Sequence, residues 1–217
     1  MHEMLCAGEP ICLLPGGTIW WPRTRTLIAA DLHLGKAASF RASGIPVPVG
    51  TTQETLDRLG ALLAQQDAAR LLVLGDFFHA RSGLSDELRN SLRAWRAKHQ
   101  AVAMHVVAGN HDRGIYHEIA DLGMALHAVP MKEGPFIFAH APAQVDGGYL
   151  LCGHLHPAVR LSGAGLRRQP CFYFTRNYVV LPAFGAFTGA HLVTPGPEDR
   201  IYVAGPDAVI PLSSRRC

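Results

Sequence analysis

No C-x-x-C pair occurs in the 217 residues, and the five cysteines (Cys6, Cys12, Cys152, Cys171 and Cys217) make an odd set. That argues against a disulfide framework and a cysteine-type zinc site, and for free thiols in a reducing compartment. Apolar runs such as Val179 to Ala183 fall far short of the roughly 18 residues of a membrane span. Met1 to Leu14 carries Glu3 and Glu9 where a signal peptide would be basic and then apolar, so a soluble cytoplasmic protein is the expectation. Lysine is scarce: 17 of the 20 basic residues are arginine, the side chain suited to bidentate phosphate contact. Acidic residues are missing altogether between Asp146 and Glu198, a window that holds Arg160, Arg167, Arg168 and Arg176. Two interpretations stay open there, a solvated basic face and a track for a phosphate backbone. With a net charge of only +3, nothing forms a long basic tail.

What is present is enough apolar material, 48% of residues, for one sizeable α/β domain over residues 1–217. The informative stretch is Val107-Ala-Gly-Asn-His-Asp112, where an apolar run stops at Gly109 and an amide, an imidazole and a carboxylate follow. Alone it could be a loop that ends a strand with Asx-type hydrogen bonds. Four further apolar runs end the same way, in Asp31-Leu-His33, Asp76, His140 and His154-Leu-His156. Strand ends in an α/β sheet can aim side chains into one crevice, and five such ends with Asp, Asn and His suggest a dinuclear metal site. Two divalent cations about 3.5–4 Å apart could share a carboxylate and a hydroxide and neutralise a phosphate under attack. Nitrogen with carboxylate and amide oxygen suits Mn, Fe or Zn better than Mg or Ca.

In chain order, Ile11 to Leu14, a Pro15-Gly-Gly17 turn and Thr18 to Trp21 read as a hairpin. Trp20 and Trp21 should face opposite ways in a strand, with at most one fully buried. Residues 35–50 read as a loop over the site, with Lys36 and Arg41 as candidate phosphate contacts and Phe40 either stacking a base or packing. Thr51-x-x-Glu54 fits a capping box for a helix over 52–66. Ser85 should cap a second helix whose buried stripe is Leu88, Leu92 and Trp95, and a short helix over 115–122 should close at Gly123. Strand-like segments at 125–129, 135–139, 149–152, 158–162, 171–174, 178–184 and 190–193 suggest a β meander. The fold class expected is α/β, a four-layer α/β/β/α sandwich of two mixed sheets flanked by helices. His105, His117, His127 and His191 fit no ligand position.

The set Asp31-x-His33, Gly75-Asp76, Gly109-Asn110-His111-Asp112, His140 and Gly153-His154-x-His156 resembles the signature of the calcineurin-like metallophosphoesterases. The resemblance implies Asp31, His33, Asp76 and His156 on one metal and Asp76, Asn110, His140 and His154 on the other. His111 would be catalytic, steadied by Asp112. Leu32-His-Leu-Gly-Lys36, Gly44-Ile-Pro-Val-Pro48 and Gly75-Asp-Phe-Phe-His79 are similar to a narrower branch, the bacterial ligase-associated, DNA-damage-response members. That implies manganese-dependent DNA endonucleases and phosphodiesterases, encoded beside a helicase, an exonuclease and an ATP-dependent ligase. His79 departs from the broader superfamily and either touches substrate phosphate or is a structural histidine. Single-stranded or nicked DNA is the substrate expected, with Phe40 or Phe77 available to stack bases. A small-phosphodiester hydrolase and a non-catalytic scaffold are the alternatives.

Overall fold

The computed structural model describes residues 1–47, 49–161 and 167–212. Pro48, residue 162 of the expected strand at 158–162, and Cys217 lie outside the described residues.

The first sheet holds β1 (His2–Cys6), β2 (Glu9–Leu14), β3 (Thr18–Trp21), β4 (Thr26–Ala29), β5 (Arg70–Leu74), β6 (Ala103–Val107) and β7 (Ala125–His127), side by side in chain order. Pairing is antiparallel from β1 to β4 and parallel from β4 to β7. The parallel crossovers carry α1 (Lys36–Ala42), α2 (Thr51–Gln65), α3 (Asp86–Lys98) and α4 (Tyr116–Asp121). Consequently β4, β5 and β6 all finish at one end of the sheet, where the Asp, Asn and His motifs begin.

Both faces of this sheet are covered, which explains the continuous apolar runs. Leu27, Leu71, Val73 and Val106 meet Leu56, Leu59, Leu88, Leu92 and Trp95 of the helices. On the opposite face Ile28, Leu72 and Leu74 meet Phe136, Phe138, Phe172 and Phe174 of the second sheet. Each fully buried side chain of this kind contributes about 1.5–3 kcal/mol. Trp21 is fully buried between the sheets, edge-on to Phe136 at 5.0 Å, while Trp20 packs partly buried on the helix side, so the pair divides between the faces.

The second sheet contains β8 (Met131–Glu133), β9 (Phe136–Phe138), β10 (Tyr149–Cys152), β11 (Pro157–Arg160), β12 (Arg168–Phe174), β13 (Tyr178–Val180), β14 (His191–Leu192), β15 (Arg200–Ala204) and β16 (Val209–Leu212). Its order is β14-β11-β12-β13-β10-β9-β8, with β15 and β16 attached at β12. The expected meander is not what forms. β9, β10 and β13 run parallel, as do β11 and β14, because crossovers place non-consecutive strands together. Two mixed sheets flanked by helices are nonetheless the architecture. Among the described residues the helices gather on the first sheet; the outer face of the second carries a small cluster around Leu150 and Val180, with Val145 and Leu155 packed on it.

Other local differences have physical causes. Residues 36–42 form a helix rather than loop, entered through left-handed Gly35. At α2 the cap is Gly50, in the left-handed region, and Thr51 is already helical, so no capping box forms. Strands β1, β8, β15 and β16 lie outside the expected segments; β1, β8 and β16 expose part of their length, whereas β15 is buried beyond Arg200. Ser85 does cap α3, accepting from Leu88 N at 3.2 Å. Replacing Ser85 with Ala should therefore lower stability by about 1 kcal/mol, read as a lower urea midpoint at unchanged slope, and Ser85→Asp should retain most of it.

Candidate metal centre

Beyond their last ladder residues, β4 and β5 continue as a hydrogen-bonded turn: Asp31 N donates to Gly75 O at 3.2 Å and His33 N to Asp76 O at 2.9 Å. Asp31, His33, Asp76, His154 and His156 all have positive φ, between 45° and 71°. Outside Gly this region is uncommon, and at strand ends it swings successive side chains onto one side. Gly109 does not have a positive φ; it permits contact, because a Cβ there would overlap the backbone N and Oδ1 of Asp76. At Gly153 a Cβ would lie 2.5 Å from Asp31 Oδ2.

Among the described residues three groups of potential ligands form: two hold a carboxylate, Asp31 with His33 and His156 and Asp76 with His140 and His154, and the third is His33 with His79 and His111. Asp76 Oδ2 lies between the first two, 3.7 Å from His33 Nε2 and 3.4 Å from His140 Nε2. Asn110 Oδ1 is 2.9 Å from His140 Nε2, which is 3.0 Å from His154 Nδ1. The seven residues expected to hold metal thus converge around one cleft.

Three features fit divalent cations. Asp31 Oδ1 is buried without a hydrogen-bond partner, 3.6 Å from His156 Nε2. His140 Nδ1 and His156 Nδ1 each face a backbone carbonyl, Leu74 O at 3.0 Å and Gly189 O at 3.1 Å, which orients both rings and leaves Nε2 toward the cleft. Burial, reinforced by His156 and Lys36, pushes the His33 pKa down to about 2, so its ring is neutral and its lone pair available. Mixed imidazole, carboxylate and amide donors favour a transition metal.

His111 stands beside the clusters. Its Nδ1 donates to His79 O at 2.7 Å and its Nε2 is 3.9 Å from Asp76 Oδ2. The expected support from Asp112 is not present: that carboxylate is fully buried and accepts from Gly109 N, Phe77 N and Phe78 N at 3.0–3.3 Å. Asp112 ties the turns after β5 and β6 together, and the His79 carbonyl orients His111. His79 itself stacks on His111, ring centroids 4.9 Å apart, and burial lowers its pKa to about 4. Phe77 is buried and cannot stack a base. Phe40 stays half-buried, edge-on to His79 and Phe187.

The proposed phosphate contacts scatter. Lys36 shares a small pocket with His33, Thr51 and Phe187, whereas Arg41 is exposed in the last turn of α1. Arg160 and Arg168 pair across β11 and β12 at the end of β11 remote from His156, and Arg168 donates to Ala190 O. Arg176 precedes β13 where that strand begins alongside Leu150, at the opposite end of the sheet from His154, so it does not belong to one track with the others. His105 and His127 pair with each other at 2.9 Å, away from the ligand set. Sequence reasoning passed over Arg113 and Tyr116, which line a cavity of about 320 Å³ with Asn110, His140 and His154; adjacency to the Asn-His-Asp motif was the available signal. A larger cavity, about 1100 Å³, lies instead between α2, Pro15-Gly16 and Pro182 to Ala186.

A two-sheet sandwich carrying Asp and His clusters at adjacent strand ends suits a metal-dependent phosphoesterase, and the family match shows that class. The calcineurin-like phosphoesterase family model matches residues 24–183, and the chain belongs to that family. It is similar to a nuclease of Pseudomonas putida, MPE, at 36% identity and a TM-score of 0.87, covering 97% of this chain and 99% of that one. A phosphoesterase from E. coli, Yfce, aligns at 15% identity and TM-score 0.44 over 85% of this chain and 96% of its own. No curated protein sequence matches the chain.

If Asp76 joins the two clusters, Asp76→Asn, which keeps the shape and tolerates positive φ, should reduce bound Mn²⁺ from two ions per chain to one or none. Elemental analysis and circular dichroism together check this; two retained ions would remove Asp76 from the bridge.

Proposed function

We propose that the protein is a manganese-dependent DNA endonuclease acting on single-stranded or damaged DNA in repair. The observation that carries the substrate class is the similarity, over nearly all of both chains, to a protein described as a nuclease. The site is of the kind a phosphodiester requires. When bound, two divalent ions would supply charge neutralisation and activation of the nucleophile. The proposed ligands are Asp31, His33, Asp76, Asn110, His140, His154 and His156.

His111 has the geometry of a general acid. With Nδ1–H committed to the His79 carbonyl, protonation puts the second N–H at Nε2, toward the cleft, where it can donate to a phosphate oxygen or to the departing alkoxide. Asp112 supports this by fixing the loop. Lys36, and beyond the centre Arg160 and Arg168, are the proposed phosphate contacts. The working context would be the cytoplasm, beside a helicase, an exonuclease and an ATP-dependent ligase. No helix among the described residues is long and apolar enough to cross a membrane.

Metal-stripped protein reloaded with Mn²⁺ should linearise circular single-stranded DNA. Hydrolysis of bis(p-nitrophenyl) phosphate without any cutting of DNA would favour the small-phosphodiester hydrolase instead.

His111→Ala should keep both ions yet lose roughly 10²–10⁴-fold in turnover on DNA. The loss should shrink on a nitrophenyl diester, whose phenolate leaves without a proton; loss of metal would instead make His111 a ligand. Replacing Arg160, Arg167 and Arg168 together by Gln should flatten the salt dependence of single-strand binding by at most about 0.7 in log–log slope per lost contact. An unchanged salt series would leave this face a solvated one.

A further inference from the structure

The cavity beside Asn110 lies on the His140 and His154 side of the cleft, and no carboxylate lines it. Three of its wall residues are proposed ligands, so whatever is attached to the reacting phosphate on that side must enter it. Its volume, about 320 Å³, is near the lower limit for small-molecule sites and suits one nucleotide unit. Tyr116 gives it a half-buried aromatic ring, a surface on which any base can stack.

Arg113 is the only cation in this wall other than histidine. Its guanidinium has no hydrogen-bond or ion-pair partner among the described residues, whereas neighbouring arginines are engaged: Arg81 with Gly114 O at 2.7 Å, and Arg89 with Glu118 at 2.8 Å. The backbone under Arg113 is nevertheless held firmly. Asp112 binds three backbone N–H groups before it, Ile115 N donates to Asp112 O at 3.1 Å after it, and Arg81 clamps Gly114. An unengaged guanidinium on a fixed loop is available to a phosphate, and its binding would order the side chain alone, the backbone being held already.

We propose that this cavity is the subsite for the nucleotide adjoining the scissile phosphate, with Arg113 receiving that neighbour's phosphate and Tyr116 its base. The inference rests on the nuclease activity proposed above. It makes cleavage sensitive to the charge of one neighbouring linkage on one side only, because the cavity lies on one side of the two clusters.

The test uses the full chain with Mn²⁺ and an end-labelled oligothymidylate strand carrying a single uncharged methylphosphonate linkage. Wild-type protein should cut the linkage on one side of the neutral position roughly three- to tenfold more slowly than its counterpart on the other side, the scale of a partly exposed charged hydrogen bond. Arg113→Gln should flatten that asymmetry whatever its absolute rate, and Arg113→Lys should restore part of it. An even ladder from wild type, or the same asymmetry in Arg113→Gln, overturns the subsite. Failure to cut the strand at all, with bis(p-nitrophenyl) phosphate still hydrolysed, overturns the nuclease proposal and the subsite with it.

Discussion

Three carboxylates, Asp31, Asp76 and Asp112, are buried just past the ends of three adjacent parallel strands, at 0%, 2% and 0% exposure. A carboxylate taken out of water must be hydrogen-bonded or paired, at a cost of several kcal/mol otherwise. The chain meets this requirement in two ways. Asp112 is satisfied internally by three backbone N–H groups and so holds the turns together. Asp31 and Asp76 each use one oxygen on a backbone N–H, from His154 and His111, and turn the other toward imidazoles. Asp31 Oδ1 has no hydrogen-bond partner, and Asp76 Oδ2 lies 3.4–3.9 Å from the rings of His140, His33 and His111.

The geometry depends on backbone conformations that the core must sustain. Left-handed φ costs a residue with a side chain on the order of 1–2 kcal/mol, and five residues of the centre adopt it. The turns of Asp31, His33 and Asp76 are anchored by strands β4 and β5, whose two faces are packed, those of His154 and His156 follow β10, and Gly109 and Gly153 let Asp76 and Asp31 approach closer than any Cβ would allow. Packing and site chemistry are therefore one problem: a looser sheet would release the turns that aim the ligands.

The ligand positions were legible because a strand end is a local signal; an apolar run stopping at Asp31 or Asp76 reports itself within a few residues. So were the cap at Ser85 and the opposed faces of Trp20 and Trp21. What remained hidden was non-local. Spacing shows that Val179 belongs to a strand but not that it lies parallel to Leu151, and for that reason Arg176 could not be placed at the far end of the sheet. Adjacency also misled: Asp112 follows His111 in sequence, yet its side chain turns inward while the carbonyl of His79, 32 residues away, holds the ring.

The rings of His140 and His156 are fixed by the carbonyls of Leu74 and Gly189, and the turns by Asp112, all through contacts within the chain. In a zinc finger, by contrast, the ion is needed for the fold to exist. Here the contacts that aim His140 and His156 are made by the chain's own carbonyls. Donors of this type bind later first-row metals more tightly along the Irving–Williams series, so a preference for an earlier metal would have to come from geometry and availability.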